Sequence, residues 1–258
     1  MLASSALGMD ASALVAYGEN LVDPHASDRL RAMVRRRKTG EPVAYIVGHK
    51  DFYGLRFAVD ARVLVPRPET EELVGLVIED WQGRFASILD LGTGCGAIAC
   101  ALAHALPDAR VTATDVDPRA LEVARENAHA LGLTDRIAFA AGDLFAPFAD
   151  AGNRFDAIAA NLPYVAESDG ALDPAVHRFE PPGALMAGVD GLDAYRRMLA
   201  HAGHHVSSRG ALYLECGPAN ATALAAIVRS SLPGSSVEVL TDLAHLDRFV
   251  VARLEASA

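Results

Sequence analysis

From Ser87 onward, short apolar runs alternate with stretches of helical period, and this alternation is the strongest pattern in the chain. Ser87–Leu91, Arg110–Thr114, Arg136–Ala140, Phe155–Ala160 and Ala211–Glu215 have strand length and apolar character. Between and after them, Ala97–Leu106, Pro118–Leu131, Leu192–Val206 and Ala219–Ser230 carry apolar residues at helical spacing, with Asp117 placed as an N-cap ahead of Pro118. Two closing runs, Ser236–Leu240 and Arg248–Ala252, are close enough to pair antiparallel. The pattern predicts an α/β fold: a mostly parallel sheet covered on both faces. Ligands of such sheets sit beyond the carboxyl ends of the strands. The loops after Leu91, Thr114, Ala141 and Ala160 are therefore the ones to read for chemistry.

The first part of the chain has a different texture. Ser12–Leu21 and Ala26–Lys38 read as two helices, the second opened by Pro24 and closed by Thr39-Gly40 after a basic last turn. Pro42 to Val65 alternates Val43, Tyr45, Val47, then Phe52, Leu55, Phe57 and Val59, which predicts a β-hairpin with Tyr45, Tyr53 and Phe57 in its core. Pro66-Arg67-Pro68 interrupts it, and helical period returns from Glu69 to Trp81, where Trp81 is expected to cover the helix end. The division is a helical segment over 1–40, a hairpin linker over 41–66 and the main domain over 67–258.

Composition narrows the function classes. At 258 residues and 51% hydrophobic, the chain can bury a core without disulfide or metal staples. A formal net charge of −10 argues against a protein that coats nucleic acid. Cys95, Cys100 and Cys216 form no CxxC pair, and no zinc spacing is present. His201, His204 and His205 lack a carboxylate or thiol partner at ligand spacing and are expected on the surface, so no metal is expected. The longest apolar-rich run, Ala97–Leu106, is too short to cross a bilayer, and the N-terminus carries no signal-peptide pattern. A soluble cytoplasmic protein is expected. Arg29, Arg31, Arg35, Arg36, Arg37 and Lys38 form a basic cluster that reads either as a solvated helix end or as a docking patch.

The loop after the first strand of the main domain reads Asp90-Leu91-Gly92-Thr93-Gly94-Cys95-Gly96. Its glycines allow a sharp turn and close approach to a ligand. A carboxylate in this place disfavours a pyrophosphate and favours a cation such as an ammonium or sulfonium. S-adenosylmethionine carries both and no phosphate. Asp115 ends the second strand, where a carboxylate can accept both ribose hydroxyls. Asp143, followed by Leu144, lies after the third strand and is placed to accept from an adenine amino group. After the fourth strand comes Asn161-Leu162-Pro163-Tyr164, a polar group at the end of an apolar strand. It suits a planar amino group: the Asn161 side-chain oxygen and the Leu162 carbonyl can each accept one N–H, and the Tyr164 ring can stack on the π-face. Holding an amide this way directs its nitrogen lone pair, which resonance otherwise ties up, toward a methyl donor.

These segments, with Val63-Leu64-Val65-Pro66-Arg67-Pro68-Glu69-Thr70-Glu71, resemble the HemK/PrmC family. The similarity also covers Glu41–Gly48, Phe52-Tyr53-Gly54, Glu180–Leu185, Asp190-Gly191-Leu192 and Asp242–Arg248. The resemblance implies a class I S-adenosylmethionine-dependent methyltransferase with a seven-stranded sheet whose last strand is antiparallel. It implies N5-methylation of a glutamine side-chain amide in a protein, the Gly-Gly-Gln motif of release factors among the substrates and a ribosomal or other protein as the alternative. It also implies a docking role for the N-terminal helices, and cofactor contacts from Asp90, Gly92, Thr93, Gly94, Gly96, Asp115, Asp143, Leu144, Asn161, Pro68 and Thr70. Arg67, Glu69, Asn161 and Tyr164 would border the target amide, with Asn161, Leu162, Pro163 and Tyr164 as the catalytic motif. Exocyclic base amines are acted on by related enzymes; the net charge and the missing nucleic-acid module weigh against that substrate. A non-catalytic cofactor-binding or partner-binding protein is a third reading, and an intact Asn161 and Tyr164 weigh against it. Three features depart from the family. Leu162 stands where a proline is usual, the N-terminal helical segment is short, and the usual Glu-Ile-Gly-x-x-Gln reads Glu215-Cys216-Gly217-Pro218-Ala219-Asn220.

Overall fold

The computed structural model describes residues 1–149, 152–167 and 173–255. Its N-terminal segment holds three helices rather than two: α1 (Leu2–Leu7), α2 (Ala11–Ala16) and α3 (Pro24–Lys38). Helix α1 spans too few turns to show a period in the sequence, and it is held by Arg29, which donates to the Ala6 carbonyl at 3.0 Å. Asp10 and Asp23 cap α2 and α3 by accepting from the backbone N–H three residues on. Much of the basic cluster is spent locally. Arg36 pairs with Glu41 at 2.6 Å and Arg37 donates to the carbonyls of Gly40 and Glu41.

The predicted hairpin over Pro42–Val65 is shortened in the structure. Val43–Val47 forms a helix, α4, and only β1 (His49–Phe52) and β2 (Leu55–Ala58) pair. The run Val43-Ala44-Tyr45-Ile46-Val47 is apolar at every position, so it carries no true alternation. Pro42 before it and Gly48 after it, at φ 80°, punctuate a one-turn helix. Tyr45, expected in the hairpin, sits on α4 and donates to the Val63 carbonyl at 2.5 Å. Tyr53-Gly54 makes the hairpin turn with φ positive at both residues (49° and 74°), as a two-residue turn requires.

The remainder runs as α5 (Pro68–Trp81), β3 (Ser87–Leu91), α6 (Ala97–Ala105), β4 (Arg110–Asp115), α7 (Pro118–Ala130), β5 (Ile137–Ala141), β6 (Phe155–Ala160), α8 (Pro174–Phe179), α9 (Asp193–His205), β7 (Val206–Glu215), α10 (Ala221–Ser231), β8 (Ser235–Thr241) and β9 (Asp247–Leu254). Among these, α8 is absent from the sequence reading. Seven strands form one sheet in the order β5-β4-β3-β6-β7-β9-β8. β9, last in the chain, runs antiparallel to both neighbours, and the other pairings from β5 across to β7 are parallel.

Side-chain alternation along the strands feeds two cores. Ile88, Ala159 and Tyr213 face α5, α6 and α7, where Leu73, Val77 and Leu102 lie; Leu89, Leu91 and Leu214 face α9 and α10, where Met198, Leu224 and Val228 lie. Trp81, at the end of α5, donates from its ring nitrogen to the Tyr213 hydroxyl at 2.9 Å, which in turn donates to Asp80. His201 and His204 are exposed as expected, but His205 is buried. It stacks on Phe145 with ring centroids 4.4 Å apart, and its Nδ1 lies 3.2 Å from the Asn153 carbonyl, so it belongs to packing. Chain order reverses between β3 and β6, and this places a crevice at the carboxyl ends of β3, β4, β5 and β6.

Candidate active site

The glycine loop leaves β3 by turning its Gly92 and Thr93 N–H groups onto the Thr114 carbonyl, each at 2.9 Å. At Gly92, φ is 73° and an added Cβ would lie 3.0 Å from the Leu162 side chain, so the loop passes tightly over the β6 loop. At Gly96, φ is 83° and a Cβ would meet the Ala124 backbone at 3.3 Å, which lets α7 approach the start of α6. Asp90 lies underneath. Its carboxylate is fully buried, with one oxygen accepting from the Thr93 hydroxyl (2.6 Å) and the Ala99 N–H (3.0 Å), and the other without a partner among the described residues. Burial pushes its pKa up to about 7, against the pull of those two donors. Asp90 thus fixes the loop from below, together with Thr93, and neither residue is part of the lining of the two cavities at the site.

The crevice opens as a cavity of about 720 Å³. Gly92, Gly94, Asp115, Asp143, Leu144, Asn161, Leu162 and Pro163 line it, so residues from four separate loops meet there. The Asp115 carboxylate accepts from the N–H groups of Gly94 and Asp117, both at 2.9 Å, and burial raises its pKa. The Thr114 hydroxyl, on the same wall, is buried without a partner among the described residues. Leu144 adopts φ 50°, a sparsely populated conformation for a branched side chain, and presents its side chain beside Asp143. Asp143 is half exposed and forms an ion pair with Arg197 of α9. Arg62 and Arg119, also on the wall, are paired with Asp60 and Asp117. These cations are each paired with a carboxylate, which disfavours a pyrophosphate on this wall.

A second cavity, about 810 Å³, lies alongside. Arg67, Tyr164, Val176, Asn220 and Arg248 line it, and Asn161 and Leu64 belong to both. Asn161 donates from Nδ2 to the Thr70 hydroxyl at 3.0 Å. The N–H of Leu162 donates to the Tyr195 hydroxyl at 3.2 Å, and that hydroxyl bonds the Glu215 carbonyl. Desolvation holds Tyr164 up at about 12, so its phenol stays neutral. The segment over 63–70 is clamped by Glu180, which is buried, accepts the Val65 N–H at 3.0 Å and pairs with Arg67 at 2.7 Å. Thr70 reaches the site through Asn161, and Gly96 through the packing of α6. Pro68, exposed at the first turn of α5, and the half-buried Glu69 line neither cavity.

Comparison with known proteins places this geometry. Residues 73–186 match the methyltransferase small domain and residues 1–48 the PrmC N-terminal domain. The chain is 41% identical over 257 residues to the release factor glutamine methyltransferase of Cereibacter sphaeroides, covering 99% of this chain and 90% of that protein. It is 41% identical over 255 residues to the Deinococcus radiodurans enzyme of the same name, covering 98% and 89%. The chain belongs to the release factor glutamine methyltransferase family. Solved structures show the same fold at lower identity. A ribosomal protein L11 methylase from Lactobacillus delbrueckii superposes with a TM-score of 0.54 at 19% identity, covering 74% of this chain and 81% of that one. A methyltransferase from Pyrococcus furiosus gives 0.57 at 19%, covering 88% and 98%.

Within the release factor glutamine methyltransferase family, the departures noted in the sequence acquire positions. Leu162 is buried against the loop at Gly92, so its larger, flexible side chain fills the joint between the two loops. Asn220 donates to the carbonyls of Tyr164 (3.2 Å), Asp190 (3.2 Å) and Gly191 (3.3 Å), bracing the loop after β6. Several residues around the site escaped the sequence reading, including Thr114, Tyr195 and the wall over 186–188. Glu180 and the prolines after it were visible as a motif, without an assigned role. Asn127 carried no signal beyond a polar residue on an apolar helix face.

Proposed function

We propose that this chain transfers a methyl group from S-adenosylmethionine to the side-chain amide nitrogen of a glutamine in a peptide chain release factor. The observation that carries the reading is Asn161, which stands at the end of β6 where the two cavities meet. The first cavity suits the cofactor: Gly94 lets the backbone come close, Asp115 can accept from ribose hydroxyls, Asp143 from an adenine amino group, and the Thr114 hydroxyl lacks a partner among the described residues. Asp90 and Thr93 would act on it through the loop they hold. S-adenosylmethionine, when bound, supplies a methyl group activated by a sulfonium.

The second cavity receives the target side chain. Asn161 Oδ1 and the Leu162 carbonyl accept the two amide N–H groups, and the neutral Tyr164 ring lies against the amide plane. This fixes the nitrogen with its lone pair toward the first cavity, a placement that supplies several kcal/mol of the barrier, on the order of the gain from near-attack positioning. No general base is required, since the methylated nitrogen is acidic enough to give its proton to water. Arg67, held by Glu180, and Arg248, held by Asp242 at 3.1 Å, line this cavity and can donate to carbonyls of the incoming peptide. The helices over 1–40 supply a docking surface for the rest of the substrate, which works in the cytoplasm with the translation apparatus. No helix of the described residues is long and apolar enough to cross a membrane.

The test is incubation with methyl-labelled cofactor and a release factor, followed by mass spectrometry. Label on the glutamine of a Gly-Gly-Gln motif supports the reading; label confined to nucleic acid overturns it. Asn161→Ala should abolish transfer and leave cofactor affinity within about threefold, since Gly94, Asp115 and Asp143 carry most of the cofactor contacts while Asn161 Oδ1 serves the reacting amide.

A further inference from the structure

Glu215 closes β7 next to the site, and both of its carboxylate oxygens are buried; among the described residues no donor meets them at full hydrogen-bonding geometry, and Thr70 and Asn161 are the donors within reach. Strand register explains where it points. Ala160 pairs with Leu214, so Asn161 and Glu215 occupy the next step on adjacent parallel strands. Ala159 and Tyr213 face the α5 side of the sheet, and by alternation Asn161 and Glu215 face it too. The first turn of α5 lies over them and contributes Thr70, whose hydroxyl accepts from Asn161. Thr70 and Asn161 are the polar side chains turned toward the carboxylate, with Arg248 of β9, Glu69 of α5 and Tyr164 the charged or titratable groups around it. Tyr195 of α9 meets only its carbonyl.

We propose that Glu215 is a positioning residue that, through Thr70, draws the amino end of Asn161 inward and so turns its amide oxygen toward the target amide. The proposal rests on the reading of the site given above. A primary amide is nearly symmetric in shape, and a hydroxyl can donate or accept, so Thr70 alone cannot distinguish the two ends of Asn161. An ionised carboxylate can only accept. It accepts a hydrogen bond from the Thr70 hydroxyl, leaves the Thr70 oxygen free to accept from Asn161 Nδ2, and repels Oδ1 from the inward position. With the amide flipped, Asn161 would present donors to a donor, and the target nitrogen would lose its anchor. Burial raises Glu215 to about 7, with Glu69 adding to the rise and Thr70, Arg248 and Asn161 opposing it. Protonation in mild acid turns the acceptor into a donor and removes the selection.

The experiment measures kcat, KM for the release factor and cofactor Kd from pH 6 to 9 for the full-length wild type, Glu215→Ala and Glu215→Gln. At pH 8, Glu215→Ala should lose about tenfold or more in kcat, with KM and cofactor Kd within about threefold, as misplacement at the reacting centre does. Glu215→Gln preserves shape and an acceptor; it should keep kcat within about tenfold of wild type and lose the acid limb of the wild-type profile. An acid limb at the same midpoint in Glu215→Gln overturns the proposal. So does a wild-type kcat in Glu215→Ala, or a rise in cofactor Kd that matches the fall in kcat, which marks a merely structural role. A wild type that labels no release factor overturns the reading of the site and the proposal together. Labelling by the wild type with unaltered variants overturns the proposal alone.

Discussion

Asn127 offers the sharpest test of how the hairpin and the glycine loop are joined. It sits on α7, buried, and its side chain makes three hydrogen bonds. It accepts from the Ala58 N–H at 2.7 Å and donates to the carbonyls of Ala58 at 3.0 Å and Cys95 at 2.9 Å. One amide therefore completes the exposed edge of β2 and pins the loop that precedes α6. Asn127→Ala leaves three backbone groups without this partner. At roughly 1 kcal/mol for each bond, the loss is about 3 kcal/mol. For a domain of this size that corresponds to about 6–12 °C in Tm. Urea unfolding followed by circular dichroism gives the free energy, and calorimetric titration gives cofactor Kd. Affinity should fall along with stability, because the Cys95 carbonyl anchors the loop that would face the ligand. Asn127→Asp should do no better than alanine, since it keeps one acceptor and sets a carboxylate against two carbonyls. A loss below about 1 kcal/mol in both variants refutes the claim that this amide is the joint.

Three further outcomes follow from the same geometry. Tyr195→Phe removes the hydroxyl that bonds the Leu162 N–H and the Glu215 carbonyl; kcat should drop by about tenfold with cofactor Kd unchanged, and an equal change in both would refute the assignment. Asp90 carries a folded-state pKa of about 7 against 3.8 for the free side chain. The folded state thus holds a proton that the unfolded chain releases, and stability is lost as pH rises from about 4 to 7. The pH dependence of the urea midpoint across that window should flatten in Asp90→Asn, and an unchanged slope would show that Asp90 does not titrate there. Finally, Asp143→Ala should weaken cofactor binding by about tenfold, whereas Arg197→Ala changes it by less than about threefold and leaves Tm within about 2 °C, because their ion pair is half exposed. Equal effects of the two variants on Kd would show that the pair acts as a unit.

The parallel sheet was legible because its strands are short apolar runs, and the central ones, β3 and β6, are buried along nearly their whole length. The loops that end β3 and β4 could be read because glycine spacing and a carboxylate after a strand are tied to backbone chemistry. Val43–Val47 was misread because five consecutive apolar residues carry no period, and only the flanking Pro42 and Gly48 distinguish a turn of helix from a strand. Asp90 was visible as a site residue, but its position beneath the loop was not. Whether a carboxylate faces a ligand or a backbone N–H depends on the start of α6, which folds back over it. Glu180, Tyr195 and Asn220 act across separations of 20 to 115 residues. Their partners are brought near only by the sheet order and the long connection between β6 and β7, and local pattern carries no trace of such pairings.

Gly40 follows α3 at φ 93°, and a Cβ there would stand 3.1 Å from the Ala175 Cβ in the first turn of α8. Helix α8 contributes Val176 to the wall of the second cavity. The end of the N-terminal arm therefore packs closely against the helix that walls the second cavity. Exchange of arms between relatives cannot be made by cutting at the end of α3 alone; a working chimera must carry a compatible α8 with the arm. For the same reason, a side chain added at Gly40 would press on α8 and, through Val176, on the wall of the second cavity.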